Sequence, residues 1–294
     1  MPTTEIDGHR LSLSNLDKVL YPAAGFTKGE AVHYYVAVAE AVLPHLRSRA
    51  VSFRRFPDGV EAAGFFAKNP PPGTPDWVRT AEVRRSGDVP ERQVVVEDLA
   101  TLVWAANLAA LELHTHQWRV ETPRRADRIV FDLDPGEGAT IMECRTVGVW
   151  LRERLAQDGL TALAKTSGAK GLHLLAAVSP TDCSAVSAYA KRLAQEAERA
   201  MPTLALHRMA RKLRAGKVFV DHSQNSWAKT TAAPYTLRAQ PQPTVSTPLS
   251  WDELAAARTP RDLVFTAADV PDRVARQGDP MAVLCDGRRT GTIP

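Results

Sequence analysis

The sequence predicts a mixed α/β or α+β fold, in which helices cover a sheet of short strands. Two observations lead to this prediction. The 294 residues are 44% apolar and 24% charged, a composition typical of globular proteins that excludes collagen, coiled coil and global disorder. In the second half, segments with the two-residue period of strands alternate with segments of helical period. The length suits one large domain or two smaller ones, and a core of this size needs no disulfide or metal.

The elements of the first half are predicted from caps, periodicity and turn residues. Thr27, with Glu30 three residues later, has the pattern of a capping box at a helix start. The predicted elements are a helix over 30–49, a hairpin over 51–70, a strand over 93–96 and an apolar helix over 98–113.

The second half is predicted as a sheet whose strands are separated by two long helices. The predicted strands are 129–134, 160–166, 171–178 and 217–221, and the predicted helices are 140–157 and 183–200. From Pro234 the chain is rich in Pro, Gln and Thr, which favours an extended crossing segment over a new domain. We therefore predict a single domain over 1–294, with subregions 1–125 and 126–294.

The charge and cysteine patterns limit the class of protein. The formal net charge is +4, which suits a polyanionic partner without requiring one. The three cysteines are far apart and form no C-x-x-C pair, so a disulfide framework and a zinc knuckle are not expected. The N-terminus is polar, and the most apolar stretch, residues 102–113, is too short to cross a bilayer. We expect a cytoplasmic protein.

The most informative segment is the predicted strand that ends in Asp132-Leu133-Asp134-Pro135. Side chains alternate along a strand, so the two aspartates share a face while Leu133 points to the other. Two carboxylates about 5 Å apart repel by about 3 kcal/mol at an effective dielectric constant of 20. A hard divalent cation such as Mg²⁺ or Mn²⁺ reverses that cost. The segment is equally compatible with a turn that begins at Asp134.

A second predicted strand, Lys217–Asp221, also ends in a carboxylate. Three carboxylates at neighbouring strand ends could hold two cations, which would clamp the attacking 3′-hydroxyl and the leaving pyrophosphate of a nucleotidyl transfer. Considered alone, Asp221 could equally well cap a loop.

The turn between these strands, Thr166–His173, offers donors to an anion. Its glycines allow backbone N–H groups to face phosphate oxygens, and Ser167, Lys170 and His173 add side-chain donors. It lacks the spacing of a Walker A loop. Taken alone, the segment is more typical of a plain hairpin turn.

Cationic and aromatic residues could contact a nucleic acid. The basic run over 208–217 suits a phosphate backbone, whose binding weakens with salt. A solvated helix face is a slightly more common origin of such a run. Phe65 and Phe66 lie near Arg54 and Arg55 in the sequence and could stack on bases, although paired phenylalanines more often pack in a core.

Four segments occur in the order found in a known family: FDLDPGEG, TSGAKGLHL, RAGKVFVDHSQNS and KTTAAPYTLRA. Together they closely resemble the polymerase domain of bacterial DNA ligase D, a member of the archaeo-eukaryotic primase superfamily. SNLDKVLYP and STPLSWDEL extend the resemblance over most of the chain. The resemblance implies a primase-polymerase fold, with an RRM-like catalytic sheet flanked by helices and an N-terminal α/β part.

The resemblance also implies an activity. It implies a DNA-dependent DNA and RNA polymerase that fills gaps and extends broken ends in bacterial nonhomologous end joining, with two Mn²⁺ or Mg²⁺ ions and a preference for rNTP over dNTP. The implied partners are DNA with gaps, overhangs or 5′-phosphates, a Ku-type end binder and a DNA ligase, in a cytoplasmic, nucleoid-associated setting without a membrane. The alternatives are a primer-synthesising primase and a non-catalytic DNA-end-binding adaptor.

Individual residues acquire expected roles from the same resemblance. Catalysis and metal binding would fall to Asp132, Asp134 and Asp221. The incoming nucleotide would contact Ser167, Lys170, His173, Lys229 and Arg238. DNA would be bound by Lys18 and Lys28 at the downstream 5′-phosphate, by Phe65 and Phe66 at the template, and by Arg54, Arg55 and Arg214, the last in a mobile loop beside the metals.

Overall fold

The computed structural model describes residues 2–83, 91–286 and 290–294. The chain divides into two compact units. The first unit comprises residues 1–116, 232–246 and 265–278, and the second comprises 117–231, 247–264 and 279–294. The first unit thus includes two segments from the second of the subregions predicted from the sequence. The prediction of a single domain over 1–294 stays a prediction.

The first unit begins with two short hairpins and continues as helices and a sheet. Its elements up to residue 116 are β1 (Thr3–Ile6), β2 (His9–Ser12), β3 (Val19–Tyr21), β4 (Phe26–Thr27), α1 (Lys28–Ala37), α2 (Ala39–Leu46), β5 (Ala50–Arg55), β6 (Phe65–Ala67), β7 (Thr80–Val83), β8 (Glu91–Val95), α3 (Leu99–Asn107) and β9 (Ala110–Thr115). The predicted capping box is confirmed, because the Thr27 side chain and Glu30 bond each other's backbone N–H groups.

The sheet of the first unit runs in the order β15-β9-β5-β8-β7, where the edge strand β15 is Thr231–Ala232, and β6 also pairs with β5. Helices α1 and α3 pack together, and their apolar faces supply much of the buried core. Residues 232–246, the returning segment, join this core through hydrogen bonds. The Tyr34 hydroxyl donates to the Tyr235 carbonyl at 2.8 Å, and the Ala233 N–H donates to the Leu113 carbonyl at 2.9 Å.

Two predicted helices of the first half are wrong in extent. Residues 30–49 form two helices, since α1 ends at Ala37 and α2 begins at Ala39. Residues 98–113 form α3, capped by Asp98, followed by strand β9. Ala109 has a φ of 55°, which ends the helix and turns the chain back beside β5. A uniformly apolar run has no period that separates a helix from a buried strand.

The second unit contains the long strands predicted from the sequence. Its elements are β10 (Arg125–Pro135), α4 (Ile141–Gln157), β11 (Leu163–Thr166), β12 (Leu172–Asp182), α5 (Cys183–Ala200), β13 (Ala205–Leu206), β14 (Val218–Asp221), β16 (Pro248–Leu249) and α6 (Trp251–Ala256). Helix α7 (Val270–Gln277) belongs to the first unit. The predicted mixed α/β class is confirmed.

The second sheet runs in the order β13-β14-β10-β12-β11-β16, so β10 and β12 lie at its centre. Helix α4 covers one face, where an ideal Cβ on Gly148 would lie 3.1 Å from the Leu172 side chain and 3.7 Å from the Leu133 side chain. Because successive side chains alternate, Asp132 and Asp134 point to the opposite face. Within the described residues, none of the helices has the length and apolarity needed to span a membrane.

Candidate active site

A row of polar residues crosses the second sheet. In the pairing of β10 with β14, Asp132 lies directly opposite Asp221. In the pairing of β10 with β12, Asp132 lies opposite His173, and in the pairing of β11 with β12, His173 lies opposite Lys165. Directly opposite residues of antiparallel strands present their side chains on the same face, with Cβ atoms about 4.5–5.5 Å apart. Asp221, Asp132, His173 and Lys165 therefore form one continuous row.

The three predicted aspartates share the face that carries this row. Asp134 lies two residues beyond Asp132 on β10 and is exposed, whereas Asp221 is only 8% exposed. One Asp221 oxygen accepts from the Ser223 N–H at 2.8 Å and the other from the Gln224 side chain at 3.1 Å. Like charges placed directly opposite on neighbouring strands repel. A cation bound between Asp132 and Asp221 would relieve this repulsion.

The turn after β14 fixes Asp221 against β10. The buried Asn225 side chain accepts from the Val130 N–H at 2.8 Å and donates to the Val130 carbonyl at 2.7 Å. The amide of Asn225 thereby continues the ladder that β14 begins. The short helical turn Ser223–Asn225 is the feature of the sequence segment DHSQNS that holds the third carboxylate in place.

The donor set fits a hard divalent cation, because carboxylate oxygens on one sheet face are the ligands that Mg²⁺ and Mn²⁺ prefer. The side chains are not gathered around one point: in the described part of the chain, no group of three His, Cys, Asp or Glu side chains is arranged to hold a metal ion. The Asp132 carboxylate instead lies 3.2 Å from Nε2 of His173. The structure thus brings the three aspartates onto one face, and the metal-ligand role stays a prediction.

Lys165 continues the row behind His173 and was not identified from the sequence. Its side chain is fully buried, and Nζ lies 2.9 Å from Nδ1 of His173. When Lys165 is an ammonium it can only donate, and in that state Nδ1 accepts and Nε2 carries the hydrogen that faces Asp132. The signal in the sequence is a single charged residue in the short strand LAKT.

The turn between β11 and β12 places two of the predicted nucleotide contacts next to the row. Oγ of Ser167 accepts from the Gly171 N–H at 3.0 Å and from the Ala169 N–H at 3.2 Å. Gly168 has a φ of 70°, which the tight turn requires and glycine adopts readily. Lys170 is exposed at the tip. The hydroxyl of Ser167 shapes the turn, and Lys170 is the side chain that reaches outward.

The loop that carries Arg214 packs closely against the loop after β10. The Gly136 N–H donates to the Lys217 carbonyl at 2.8 Å, and a Cβ on Gly136 would lie 1.8 Å from the Arg214 carbonyl oxygen. The Arg214 guanidinium stands 3.7 Å from the ring centroid of Phe219, which pairs with Asp134. The guanidinium therefore lies over the ring of the residue that pairs with Asp134 across the two strands.

Lys229 approaches the third aspartate from the chain that follows it. Its Nζ donates to the hydroxyl of Ser223, the residue whose N–H bonds Asp221. The second unit contains the three aspartates and four of the predicted nucleotide contacts: Ser167, Lys170, His173 and Lys229. Arg238 belongs to the first unit, and so do the predicted DNA contacts Lys18, Lys28, Arg54, Arg55, Phe65 and Phe66.

Phe65 and Phe66 lie on the surface of the first unit. They are 47% and 53% exposed, so core packing, the more common fate of such a pair, does not apply. Phe65 pairs with Arg55 and Phe66 with Arg54 across β5 and β6. Each guanidinium lies over its partner ring, at 5.4 Å and 5.9 Å from the centroid. The guanidinium contacts orient both exposed rings, which could stack on the bases of a nucleic acid.

Lys18 and Lys28 are neighbours, although they are ten positions apart in the sequence. The Lys28 N–H donates to the Lys18 carbonyl at 2.9 Å. Nζ of Lys28 donates to the Ser14 hydroxyl at 3.2 Å, and Nζ of Lys18 pairs with Asp58 at 2.9 Å. Burial lowers the pKa of the Lys28 ammonium, and the charges of Lys18 and Arg55 lower it further. Such clustered positive charge favours an anionic ligand.

A second buried ionic cluster, also missed in the sequence, surrounds Glu112 on β9. Its carboxylate contacts Arg54, Arg238 and His114. The signal was available, since Glu112 and His114 are polar residues at alternate positions of the apolar segment ALELHT. Predicting that segment as a helix concealed their common face.

Comparison with known proteins identifies the family. A family model described as LigD, primase-polymerase domain, matches residues 27–281. This chain belongs to that family. The family named by the sequence resemblance is therefore confirmed, and membership makes the chain a nucleotidyltransferase-type enzyme in the broad sense.

Several LigD proteins are similar to the chain. The Mycobacterium tuberculosis multifunctional non-homologous end joining DNA repair protein LigD is 43% identical over 283 residues, which cover 92% of this chain and 36% of that protein. The Bacillus subtilis bifunctional non-homologous end joining protein LigD is 32% identical over 273 residues, covering 92% of this chain and 43% of that protein. The chain therefore spans less than half the length of these relatives.

A solved structure supports the same LigD fold. The polymerase domain from Mycobacterium tuberculosis ligase D in complex with DNA matches with a TM-score of 0.88 and 42% identity, covering 94% of this chain and 98% of that chain. The expected primase-polymerase fold is confirmed by this likeness. The roles of individual site residues in this LigD-family chain stay predictions.

Proposed function

We propose that this chain is a template-directed DNA and RNA polymerase that adds nucleotides to the 3′ ends of DNA at gaps and breaks. The observation that carries the proposal is the pairing of Asp132 with Asp221 on one sheet face, with Asp134 two residues beyond. Membership in the LigD primase-polymerase family supports the reaction class. The names of the relatives, which refer to non-homologous end joining, support a role in that repair process.

Asp132, Asp134 and Asp221 would hold two Mn²⁺ or Mg²⁺ ions. When bound, such ions neutralise charge on the phosphates and lower the pKa of an attacking hydroxyl. The chain's own contribution is positioning: His173 orients the Asp132 carboxylate at 3.2 Å, and Ser223 and Gln224 orient that of Asp221. Phosphoryl-type transfer depends mainly on such positioning and on charge neutralisation.

The remaining residues bind the substrates. Lys170 is exposed in the turn after β11, and Lys229 donates to Ser223 in the turn after β14. Both lysines would hold the triphosphate with Ser167, His173 and Arg238. Phe65 and Phe66, with Arg55, would stack on and neutralise the template, while Lys18 and Lys28 would bind a 5′-phosphate. Arg214 would balance the charge of Asp134.

Partners and nucleotide preference extend the proposal. A DNA partner is supported by the DNA named with the similar solved structure and by the exposed Phe65 and Phe66. A preference for rNTP, partnership with a Ku-type end binder and a DNA ligase, and a cytoplasmic, nucleoid-associated setting follow from the family resemblance.

The test is extension of a primer on a gapped duplex that carries a downstream 5′-phosphate, with rNTP or dNTP and with Mn²⁺ or Mg²⁺. We expect extension opposite the template, fastest with rNTP and Mn²⁺. Asp132→Asn should abolish extension and retain DNA binding. Glu137→Gln is a matched control, since Glu137 is an exposed carboxylate in the loop after β10, and it should extend at the wild-type rate.

Each other outcome refutes part of the proposal. Products formed on a template without any primer would favour a primase. DNA binding without extension by the unmutated protein would favour a non-catalytic adaptor. Full activity of Asp132→Asn would remove the aspartates from the mechanism.

A further inference from the structure

Glu112 is a buried carboxylate at the centre of the cationic cluster of the first unit. Its side chain is only 1% exposed. Oε1 accepts from the Ala239 N–H at 3.0 Å and faces Nη1 of Arg54 at 3.3 Å and Nε of Arg238 at 3.4 Å. Oε2 lies 2.8 Å from Nε2 of His114. A single carboxylate therefore joins two arginines that are far apart in the sequence.

The register of the first sheet explains why these groups meet. Glu112 lies directly opposite Arg54 in the pairing of β5 with β9, so both side chains project from the same face. His114 is two residues further along β9 and shares that face. Phe66 pairs with Arg54 from the other side, and its ring lies 5.4 Å from that of His114. The exposed ring thus rests on the cluster that Glu112 organises.

Arg238 reaches the cluster from the returning segment, and its backbone is fixed on both sides. The Tyr21 hydroxyl donates to the Arg238 carbonyl at 3.1 Å, and the Arg238 N–H donates to the Thr244 carbonyl at 2.8 Å. The side chain is directed by Glu112. The two backbone hydrogen bonds thus fix the main chain of Arg238, and the Glu112 carboxylate orients its guanidinium group.

The charge of the cluster favours an anionic ligand. The hydrogen bonds from His114 and Ala239 and the charges of Arg238 and His114 outweigh burial and lower the pKa of Glu112 to about 2, so the carboxylate is ionised at neutral pH. One negative charge against two guanidinium groups leaves a net positive charge. The Arg54 side chain is 36% exposed, and a guanidinium has five donors in a planar fork that suits phosphate oxygens.

We propose that Glu112 is a positioning residue that holds Arg54 and Arg238 in one fixed arrangement for binding the phosphate groups of a nucleoside triphosphate, so that Arg54 serves the nucleotide and Arg55 alone serves the template. The inference rests on the proposed function, because it takes a nucleoside triphosphate as the ligand. Glu112 itself does not touch the substrate. Its effect is transmitted through the two guanidinium groups, so its loss should weaken nucleotide binding more than it slows the chemical step.

The test compares Glu112→Gln with the wild-type protein and with Glu97→Gln. Glu97 is a matched control in the same unit, since it also binds one arginine, Arg79, and one backbone amide, that of Ser48. The readouts are KM and kcat for rNTP on the gapped duplex, inhibition by inorganic tripolyphosphate, and thermal unfolding. We expect Glu112→Gln to raise KM and the tripolyphosphate inhibition constant about tenfold, the usual size of a lost charge-assisted contact, with kcat within about twofold. Glu97→Gln should leave KM and inhibition unchanged.

Glu112→Asp keeps the charge and withdraws it by one methylene. If Glu112→Gln unfolds below the assay temperature, Glu112→Asp replaces it in the assay. We expect Glu112→Asp to raise KM and to retain kcat. An unchanged KM and unchanged tripolyphosphate inhibition in a folded Glu112 variant would overturn the proposal. So would a loss of kcat and of melting temperature at unchanged KM, which would show a purely structural role.

The proposed function can fail separately from this inference. If the wild-type protein extended no primer, direct binding of tripolyphosphate to the wild-type, Glu112→Gln and Glu97→Gln proteins would still be compared. Weaker binding to Glu112→Gln alone would support the positioning role, and equal binding to all three would refute it.

Discussion

Gly171 lies where the turn after β11 meets the strand that carries Asp132 and Asp134, and its replacement by alanine perturbs that contact directly. A Cβ at this position would lie 2.1 Å from the carbonyl oxygen of Leu133, the residue between Asp132 and Asp134. It would also lie 3.3 Å from Cδ of Pro135. Because the 2.1 Å contact is with backbone, a change of side-chain rotamer does not relieve it.

The magnitude follows from the displacement that relieves this contact. The Cβ and the carbonyl oxygen would have to move from 2.1 Å to at least 3.0 Å apart, a displacement of about 0.9 Å. Overpacking of this kind typically costs about 1–3 kcal/mol of stability. A misplacement of about 1 Å in a catalytic arrangement can cost about 100-fold in rate. We therefore predict that Gly171→Ala folds with a lower melting temperature and loses about 100-fold in kcat.

The assay is single-nucleotide extension on the gapped duplex, together with thermal unfolding. Gly148→Ala is the matched control, because its three nearest neighbours would be the flexible ends of the Leu172, Leu174 and Leu133 side chains, at 3.1 Å, 3.3 Å and 3.7 Å, and not backbone. Alanine is also favoured over glycine inside a helix by about 1 kcal/mol. Gly148→Ala should keep its kcat. Wild-type kcat in Gly171→Ala, or an equal loss in both variants, would refute the reasoning.

Three further predictions concern separate parts of the molecule. Lys165→Met removes the donor behind His173 and should raise the Mn²⁺ concentration for half-maximal extension by about 10- to 100-fold, as outer-sphere changes at metal sites do; an unchanged metal titration would contradict this. Phe66→Ala should weaken binding to gapped DNA about tenfold in a fluorescence-anisotropy titration, since stacking on a base is worth about 1–3 kcal/mol, and the melting temperature should be nearly unchanged because the ring is half-exposed. The pKa of Glu112 falls from its usual 4.5 to about 2 on folding, so its contribution to the free energy of unfolding is complete above pH 4.5 and lost as the pH falls toward 2. Glu112→Gln, which faces the same Arg54, Arg238 and His114, should lose that part of the pH dependence in denaturant titrations, and an identical acid profile would contradict the assignment.

Some of the site could be predicted from the sequence because it depends on local spacing. Asp132 and Asp134 share a face by strand alternation alone, and the segment TSGAKGLHL gives the turn after β11 through its glycines. The pairing of Asp132 with Asp221 required the register of β10 and β14. A strand of four residues such as β14 does not determine that register by itself.

The first unit was harder to predict, because its important contacts are between distant segments. Glu112 lies in a run that was predicted as a helix and is a strand, and its partner Arg238 lies 126 residues later in the chain. No local period connects these two residues. Lys165 was missed for a similar reason, since a lysine in a short strand gives no sign of the histidine that it faces across the sheet.

The central claim is that Asp132, Asp134 and Asp221 act together on divalent cations from one face of the second sheet. Mn²⁺ binding measured by electron paramagnetic resonance tests it most directly, with the wild-type protein, Asp221→Asn and the control Glu137→Gln. We predict that Asp221→Asn binds Mn²⁺ at least about tenfold more weakly than the other two proteins, because a carboxylate ligand is replaced by a neutral amide. Equal Mn²⁺ affinity in all three proteins would contradict the claim.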